Sequence, residues 1–373
     1  MSGIYIHIPF CKQKCYYCDF HFSVSLKRKD EMVQAIIKEI ELRKNELQDR
    51  VETIYFGGGT PSILSIHELN KILDVIYQHF DIIDQPEITL EANPDDLSPQ
   101  KIEDLANTRI NRLSIGIQSF FDDDLQFMNR AHTAKESEEA LSTAILYFEN
   151  ITIDLIYGIP NMNDEKWKQN LQKAFDFRVP HISSYALTVE NKTALAHFIR
   201  EGKYPPMDDK LAQRHFHILV KETAKHHFIQ YEISNFAKDG YFSKHNTSYW
   251  QGKHYLGIGP SAHSYNGKFR SWNIANNPKY IKSIQQNILH QEIEKLSKID
   301  QFNETIMTGL RTIWGVSIPK IEADFGTDFK NILVKNTQKH IRNNTLKIED
   351  NILIITKKGK FFADGIAADL FIV

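Results

Sequence analysis

Cysteine is scarce in this 373-residue chain: there are three, Cys11, Cys15 and Cys18, and none elsewhere. Thiols this close in sequence cannot staple a domain, so a disulfide scaffold is excluded. An excess of one charge is also missing. Lysine and arginine number 45 against 47 acidic residues, a formal balance of −2 with the signs interspersed. That leaves no basic footprint for nucleic acid. Apolar runs are only strand-length, which excludes a helical membrane span. No basic stretch followed by an apolar one opens the chain, so no secretory signal is read. Internal repeats and low-complexity linkers are absent too. These absences, with unpaired thiols, suit a soluble protein of a reducing cytoplasm.

What is present is concentrated. The three cysteines fall within eight positions, in Tyr5-Ile-His-Ile-Pro-Phe-Cys11-Lys-Gln-Lys-Cys15-Tyr-Tyr17-Cys18-Asp-Phe20. Thiolates gathered in one loop bind soft metals, with zinc and iron–sulfur clusters the usual occupants. Structural zinc wants four ligands, commonly as two separated pairs. A C-x3-C-x2-C run without a second pair instead supplies three ligands to a four-iron cluster and leaves one iron open.

Behind that loop, strand and helix patterns alternate. Short apolar runs predict strands at Ile4–Ile8, Thr53–Phe56, Glu87–Glu91, Arg112–Ile117, Ile151–Ile156 and Ile182–Leu187. Amphipathic stretches between them predict helices over Lys29–Gln48, Ile66–Phe80, Pro99–Asn107, Ala134–Phe148, Asp164–Phe177 and Lys210–Lys225. Asp30, Ser98 and Asp164 suit caps or first-turn acids. Repeated βα units imply a parallel sheet with right-handed crossovers, either open or closed as a barrel. A barrel unit over 1–240 and a second region over 241–373 are expected. In the latter, helices near Pro278–Asn287, Asn303–Arg311 and Lys330–Arg342 precede a hairpin turning at Asp350-Asn351. A closing helix over Lys360–Asp369 completes a winged-helix-like α+β pattern.

The cysteine segment resembles the radical S-adenosylmethionine (SAM) enzymes, in the branch containing oxygen-independent coproporphyrinogen III dehydrogenase. The resemblance implies a partial (β/α)6 barrel with its chemistry at the strand carboxyl ends. It also implies a [4Fe-4S] cluster on Cys11, Cys15 and Cys18, with SAM on the open iron. Gly57-Gly58-Gly59-Thr60-Pro61, after the second strand, is similar to the family segment that holds the SAM amino group. Glycines there let bare backbone approach a ligand. Tyr5, Tyr17, Glu91, Gln118, Arg130, Asp154 and Ala186 match the family's other SAM-contact positions. Asp154 is the most telling of them, because a carboxylate inside an apolar run needs a partner or faces a pocket.

A second segment, His245-Asn-Thr-Ser-Tyr249-Trp250 followed by Gly257-Ile-Gly-Pro-Ser-Ala-His263-Ser264, resembles the mark of HemW-type heme chaperones within that branch. An imidazole beside large aromatics suits a flat macrocycle with an axial ligand. Phe20 stands where the dehydrogenase continues its motif with a further cysteine, and only Met1–Gly3 precede Ile4. The resemblance therefore implies a heme chaperone, with His245 at the heme. Its implied partners are heme, heme-accepting respiratory proteins and an electron donor such as flavodoxin or ferredoxin. It leaves open a homodimer and peripheral association with a membrane. The rival is the dehydrogenase itself, and a zinc-binding module is the third reading.

Overall fold

The computed structural model describes all 373 residues. The strands are β1 Ser2–Ile8, β2 Val51–Gly58, β3 Ile82–Ala92, β4 Arg112–Gln118, β5 Asn150–Tyr157 and β6 His181–Ala186, then β7 Ile229–Gln230 and β8 Asn235–Ala237. They continue with β9 Tyr255–Ile258, β10 His263–Tyr265, β11 Phe269–Asn273 and β12 Gln291–Lys295, then β13 Val316–Ser317, β14 Leu346–Glu349 and β15 Ile352–Ile355. The helices are α1 Lys29–Leu42, α2 Ile66–His79, α3 Pro99–Ala106, α4 Asp122–Phe127, α5 Ala134–Tyr147, α6 Asp164–Asp176 and α7 Ala194–Arg200. They end with α8 Asp209–Lys225, α9 Lys244–Trp250, α10 Asn277–Gln285, α11 Lys298–Leu310, α12 Ile318–Phe325, α13 Thr327–Arg342 and α14 Ala363–Ala368.

Strands β1 to β6 pair in parallel and in chain order. Their side chains alternate, and the alternation decides what each face does. Ile4, Ile6, Ile54, Leu90, Leu113 and Ile153 are fully buried in a 58-residue apolar core between the sheet and its helices. Each such side chain contributes about 1.5–3 kcal/mol of burial. The opposite face is polar, and Tyr5, Tyr55, Glu91, Ser114, Asp154 and Ser183 line one cavity. Residues from strands β1 through β6 thus share one interior, as the partial barrel requires.

β9 pairs in parallel with the far side of β1, so the amino-terminal strand lies inside the sheet rather than at its edge. Strands β10, β11 and β12 extend that side, giving a 12-stranded sheet from β12 to β7. The division expected at residue 240 therefore falls within the sheet. A separate 14-residue core, including Phe302, Ile306, Leu333 and Leu353, belongs to the later segment. There α11, β13, α12, α13, β14 and β15 follow the helix–strand–helix–helix–strand–strand order of a winged helix, with the sheet order β13-β15-β14. The hairpin turns where expected, with Asp350 and Asn351 both at positive φ (49° and 62°), as a tight two-residue turn demands.

Helix α1 stops at Leu42, short of the expected Gln48. The next residue, Arg43, turns inward and is 1% exposed. Its guanidinium donates to the Gly257 carbonyl at 2.7 Å, to Glu39 at 3.0 Å and to Ser264 at 3.1 Å. This clamp ties α1 to β9 and β10.

Candidate functional site

The cysteine loop leaves the carboxyl end of β1 and is closed on itself. The Cys11 amide donates to the Ser23 carbonyl at 3.1 Å, and the Ser23 amide to the Pro9 carbonyl at 2.9 Å. Its far side is tied to the barrel by the Tyr16 amide, which donates to the Met128 carbonyl at 3.1 Å. All three cysteines are free and half-buried. Burial holds the Cys11 and Cys18 thiols up to about 11, so any metal taken up there displaces protons.

The expected site residues converge here. A cavity of about 470 Å³ is lined by the three cysteines and Tyr17, by Gly58, Gly59 and Thr60, by Glu91 and Gln118, and by Arg130, Asp154 and Ala186. Arg130 is its organiser. It donates to Cys15 Sγ at 3.3 Å, to the Tyr17 hydroxyl at 3.4 Å, to Asn93 Oδ1 at 2.7 Å and to the Gly116 carbonyl at 2.9 Å. Gly59 has no room for a side chain: a Cβ there would stand 2.5 Å from the Phe10 carbonyl oxygen. Gly58 adopts φ 110°, a conformation open to glycine. Gln118 ends β4 at φ 64°, and the register with β5 breaks beside it. Such strained backbone clusters at functional sites.

Below this cavity lies a second one of about 460 Å³, sharing Glu91 and Asp154 with it and containing Tyr5. Glu91 accepts from the Tyr55 hydroxyl at 2.8 Å and from the Gly58 amide at 3.2 Å. Burial, with the neighbouring Asp154 charge, raises its carboxyl to about 7. Burial raises Asp154 to about 6, against the hydrogen bond from Ser183 and the charges of Arg112 and Arg130. Two poised carboxylates thus face one interior from β3 and β5.

His245 also lies in this lower cavity, on α9, and is 2% exposed. Its Nδ1 is 2.7 Å from the Thr53 hydroxyl and its Nε2 2.8 Å from the Tyr249 hydroxyl. Burial, reinforced by Arg112, lowers its pKa to about 3, so the ring is neutral. Contrary to the open position expected of a heme ligand, neither nitrogen is free here. The helix that carries it is held from β3, where Glu87 accepts from the Lys244 and His245 amides at 3.0 Å each.

A third cavity of about 670 Å³ opens beside α9. Aromatic rings dominate its walls: Phe20, Tyr249, Trp250, Tyr255 and Tyr265. His7, His21 and His263 line it as well, and α11 closes one side through Met307 and Thr308. Phe20, 68% exposed, lines both this cavity and the one holding the cysteines, while Tyr5 joins it to the lower barrel.

Residues 5–174 match the radical SAM superfamily and residues 296–362 the HemN C-terminal domain. The chain is 36% identical over 364 residues to the heme chaperone HemW of Lactococcus lactis, covering 96% of this chain and 94% of that protein. With HemW of Bacillus subtilis the identity is 33% over 377 residues, covering 98% of each. The chain belongs to the HemW family. In fold it is similar to the radical SAM coproporphyrinogen III oxidase of Escherichia coli, with a TM-score of 0.86, 20% identity, and coverage of 99% of this chain and 90% of that one.

Membership of the radical SAM superfamily implies a [4Fe-4S] cluster and SAM. The donors present fit them. The chain's three thiols, its only soft ligands, line one cavity beside Gly58, Gly59 and Thr60. Sequence reasoning passed over Tyr55, Glu87, Asn93 and Arg112, all on or beside the strands. Their work is to hold other site residues across the barrel, and no local pattern signals it.

Proposed function

We propose that this HemW-family chain is a heme chaperone that carries a [4Fe-4S] cluster on Cys11, Cys15 and Cys18 and delivers heme to respiratory hemoproteins. SAM occupies the cavity between the cluster and Asp154, with Gly58, Gly59 and Thr60 at its amino group and Tyr17, Glu91, Gln118, Arg130 and Ala186 around it, and Tyr5 in the adjoining lower cavity. The cluster, when bound, supplies a one-electron relay and an open iron for SAM. A flavodoxin or ferredoxin is the electron donor. The observation that carries the heme assignment is the 670 Å³ aromatic cavity adjoining the cysteine site. Its size lies in the roughly 300–1,000 Å³ range of small-molecule pockets. Its aromatic rings can bury a macrocycle at about 25 cal/mol per Å² of apolar area. His245 lies next to it and fixes Tyr249, and its Nε2 can meet iron only once the Tyr249 hydroxyl leaves. No helix is long and apolar enough to cross a membrane, so contact with a membrane-bound recipient is peripheral.

The test is anaerobic reconstitution followed by heme titration beside a coproporphyrinogen assay. About four irons per chain are expected, depleted by serine at any one of the three cysteines, together with heme uptake and no decarboxylation. Steady conversion of coproporphyrinogen III would replace the chaperone reading with the dehydrogenase. Stoichiometric zinc from iron-replete anaerobic preparations would overturn the cluster.

A further inference from the structure

On the reading that the chain carries heme, we infer that His263 is the imidazole that takes the heme iron, with the macrocycle lying in the 670 Å³ cavity against Tyr249 and Trp250.

The cavity offers three imidazoles, of which one is engaged at both nitrogens, one at a single nitrogen and one at neither. His7 is held from both sides, its Nδ1 3.2 Å from the Tyr5 hydroxyl and its Nε2 2.9 Å from the His21 carbonyl. His21 has its Nε2 2.7 Å from Asn277 Oδ1. His263 has neither ring nitrogen engaged and is exposed to the cavity. A ligand must present a free nitrogen lone pair to iron; His21 keeps only Nδ1 for this, on a ring held by Asn277, whereas His263 offers either nitrogen on a ring that nothing else holds by a hydrogen bond. His245 does not line this cavity and has both nitrogens bonded.

Its backbone, in contrast, is fixed. His263 opens β10 and pairs with Trp272 of β11, whose ring stacks on the imidazole at 5.7 Å and 27°. The segment Gly257–Ser264 folds back so tightly that a Cβ on Gly257 would overlap the His263 carbonyl. The Gly257 amide donates to Ser264 Oγ at 2.9 Å and the Gly259 amide to Glu39 at 2.8 Å. Gly259 and Ser261 complete the turn at positive φ. A free imidazole on a rigid support is the arrangement that a preorganised ligand site needs. It also gives the Gly-Ile-Gly-Pro-Ser-Ala-His run a purpose that the cluster and SAM do not.

The test is a titration of the full-length, cluster-loaded protein with hemin, followed by absorption and electron paramagnetic resonance. Wild type, His263→Ala and His245→Ala are compared, with circular dichroism and iron content as checks of folding. His263→Ala should shift the Soret band, lose the histidine-ligated iron signal and raise Kd by about tenfold or more. Added free imidazole should restore the wild-type band. His263→Gln serves as a second variant if the alanine lowers the folded yield. An unchanged band and Kd in folded His263 variants would overturn the ligand assignment, as would loss of the signal in His245→Ala alone. In both cases wild-type heme uptake leaves the chaperone reading standing. A wild-type protein that takes up no heme overturns the chaperone reading and the ligand assignment together.

Discussion

Asp154 and Glu91 should set the pH behaviour of the cavity proposed for SAM. Their carboxyls are raised to about 6 and about 7 by burial and, for Glu91, by the Asp154 charge. A carboxyl whose folded pKa is raised keeps a proton that the unfolded chain has already lost above about pH 4. Stability from these two groups therefore falls as pH rises through 6 and 7. A cationic ligand reverses the benefit, because it favours the ionised forms. SAM affinity, measured by calorimetry, should rise between about pH 5.5 and 8, and Asp154→Asn should flatten the rise. Asp154→Ala should weaken SAM by about tenfold while cluster absorbance is retained. Normal SAM binding by that variant would remove Asp154 from the site. Asp154 stood out in the sequence because a charge inside an apolar strand run is conspicuous, whereas Glu91 was named through the family resemblance. Arg112 and Tyr55 were not, because what matters about them is a partner on another strand.

At the scale of elements, the βα alternation was readable because β1 to β6 are long and apolar on alternate positions. Helix α9 was not. Lys244–Trp250 has no apolar periodicity, and its first amides are satisfied by Glu87, 157 and 158 positions earlier in the chain. β9 to β12 were missed for a related reason: they are three to five residues long and are set by pairing with β1 and with one another. The boundary expected at residue 240, read from the weakening of the strand–helix alternation, lies between β8 and β9, which belong to one sheet. The dependence of α9 on β3 makes a prediction. Glu87→Ala frees the Lys244 and His245 amides and should cost about 1–3 kcal/mol in denaturant unfolding. It should also lower heme affinity, since Tyr249 and Trp250 shift with the helix, while iron content stays at the wild-type level. Equal losses of iron and heme would mean that α9 supports the whole barrel rather than the aromatic cavity.

The molecule as a whole is two apolar cores with the aromatic cavity across their junction. One wall belongs to the barrel sheet and the other to α11, whose Ile306 and Leu310 are fully buried in the second core. Contacts cross the junction at several points, among them the Arg311 guanidinium 5.1 Å over the Trp250 ring, the Arg270–Glu304 ion pair, the Tyr231–Trp314 ring contact and the backbone bridge from Glu232 to Thr312. A ligand seated there touches both cores at once. Heme should therefore slow amide hydrogen exchange in β10 and in α11 together, whereas SAM should slow it at Gly58–Thr60 and not in α11. Heme protection confined to the barrel would place the cargo away from the junction.

The position of β1 between β2 and β9 also matters during synthesis. The strand that launches the cysteine loop is synthesised well before its second neighbour, whose Leu256 lies 252 positions beyond its partner Ile4. Long-range pairing of this kind closes late. The loop's frame is thus unfinished until β9 has been made, and iron delivered earlier would find thiols that are still half-supported.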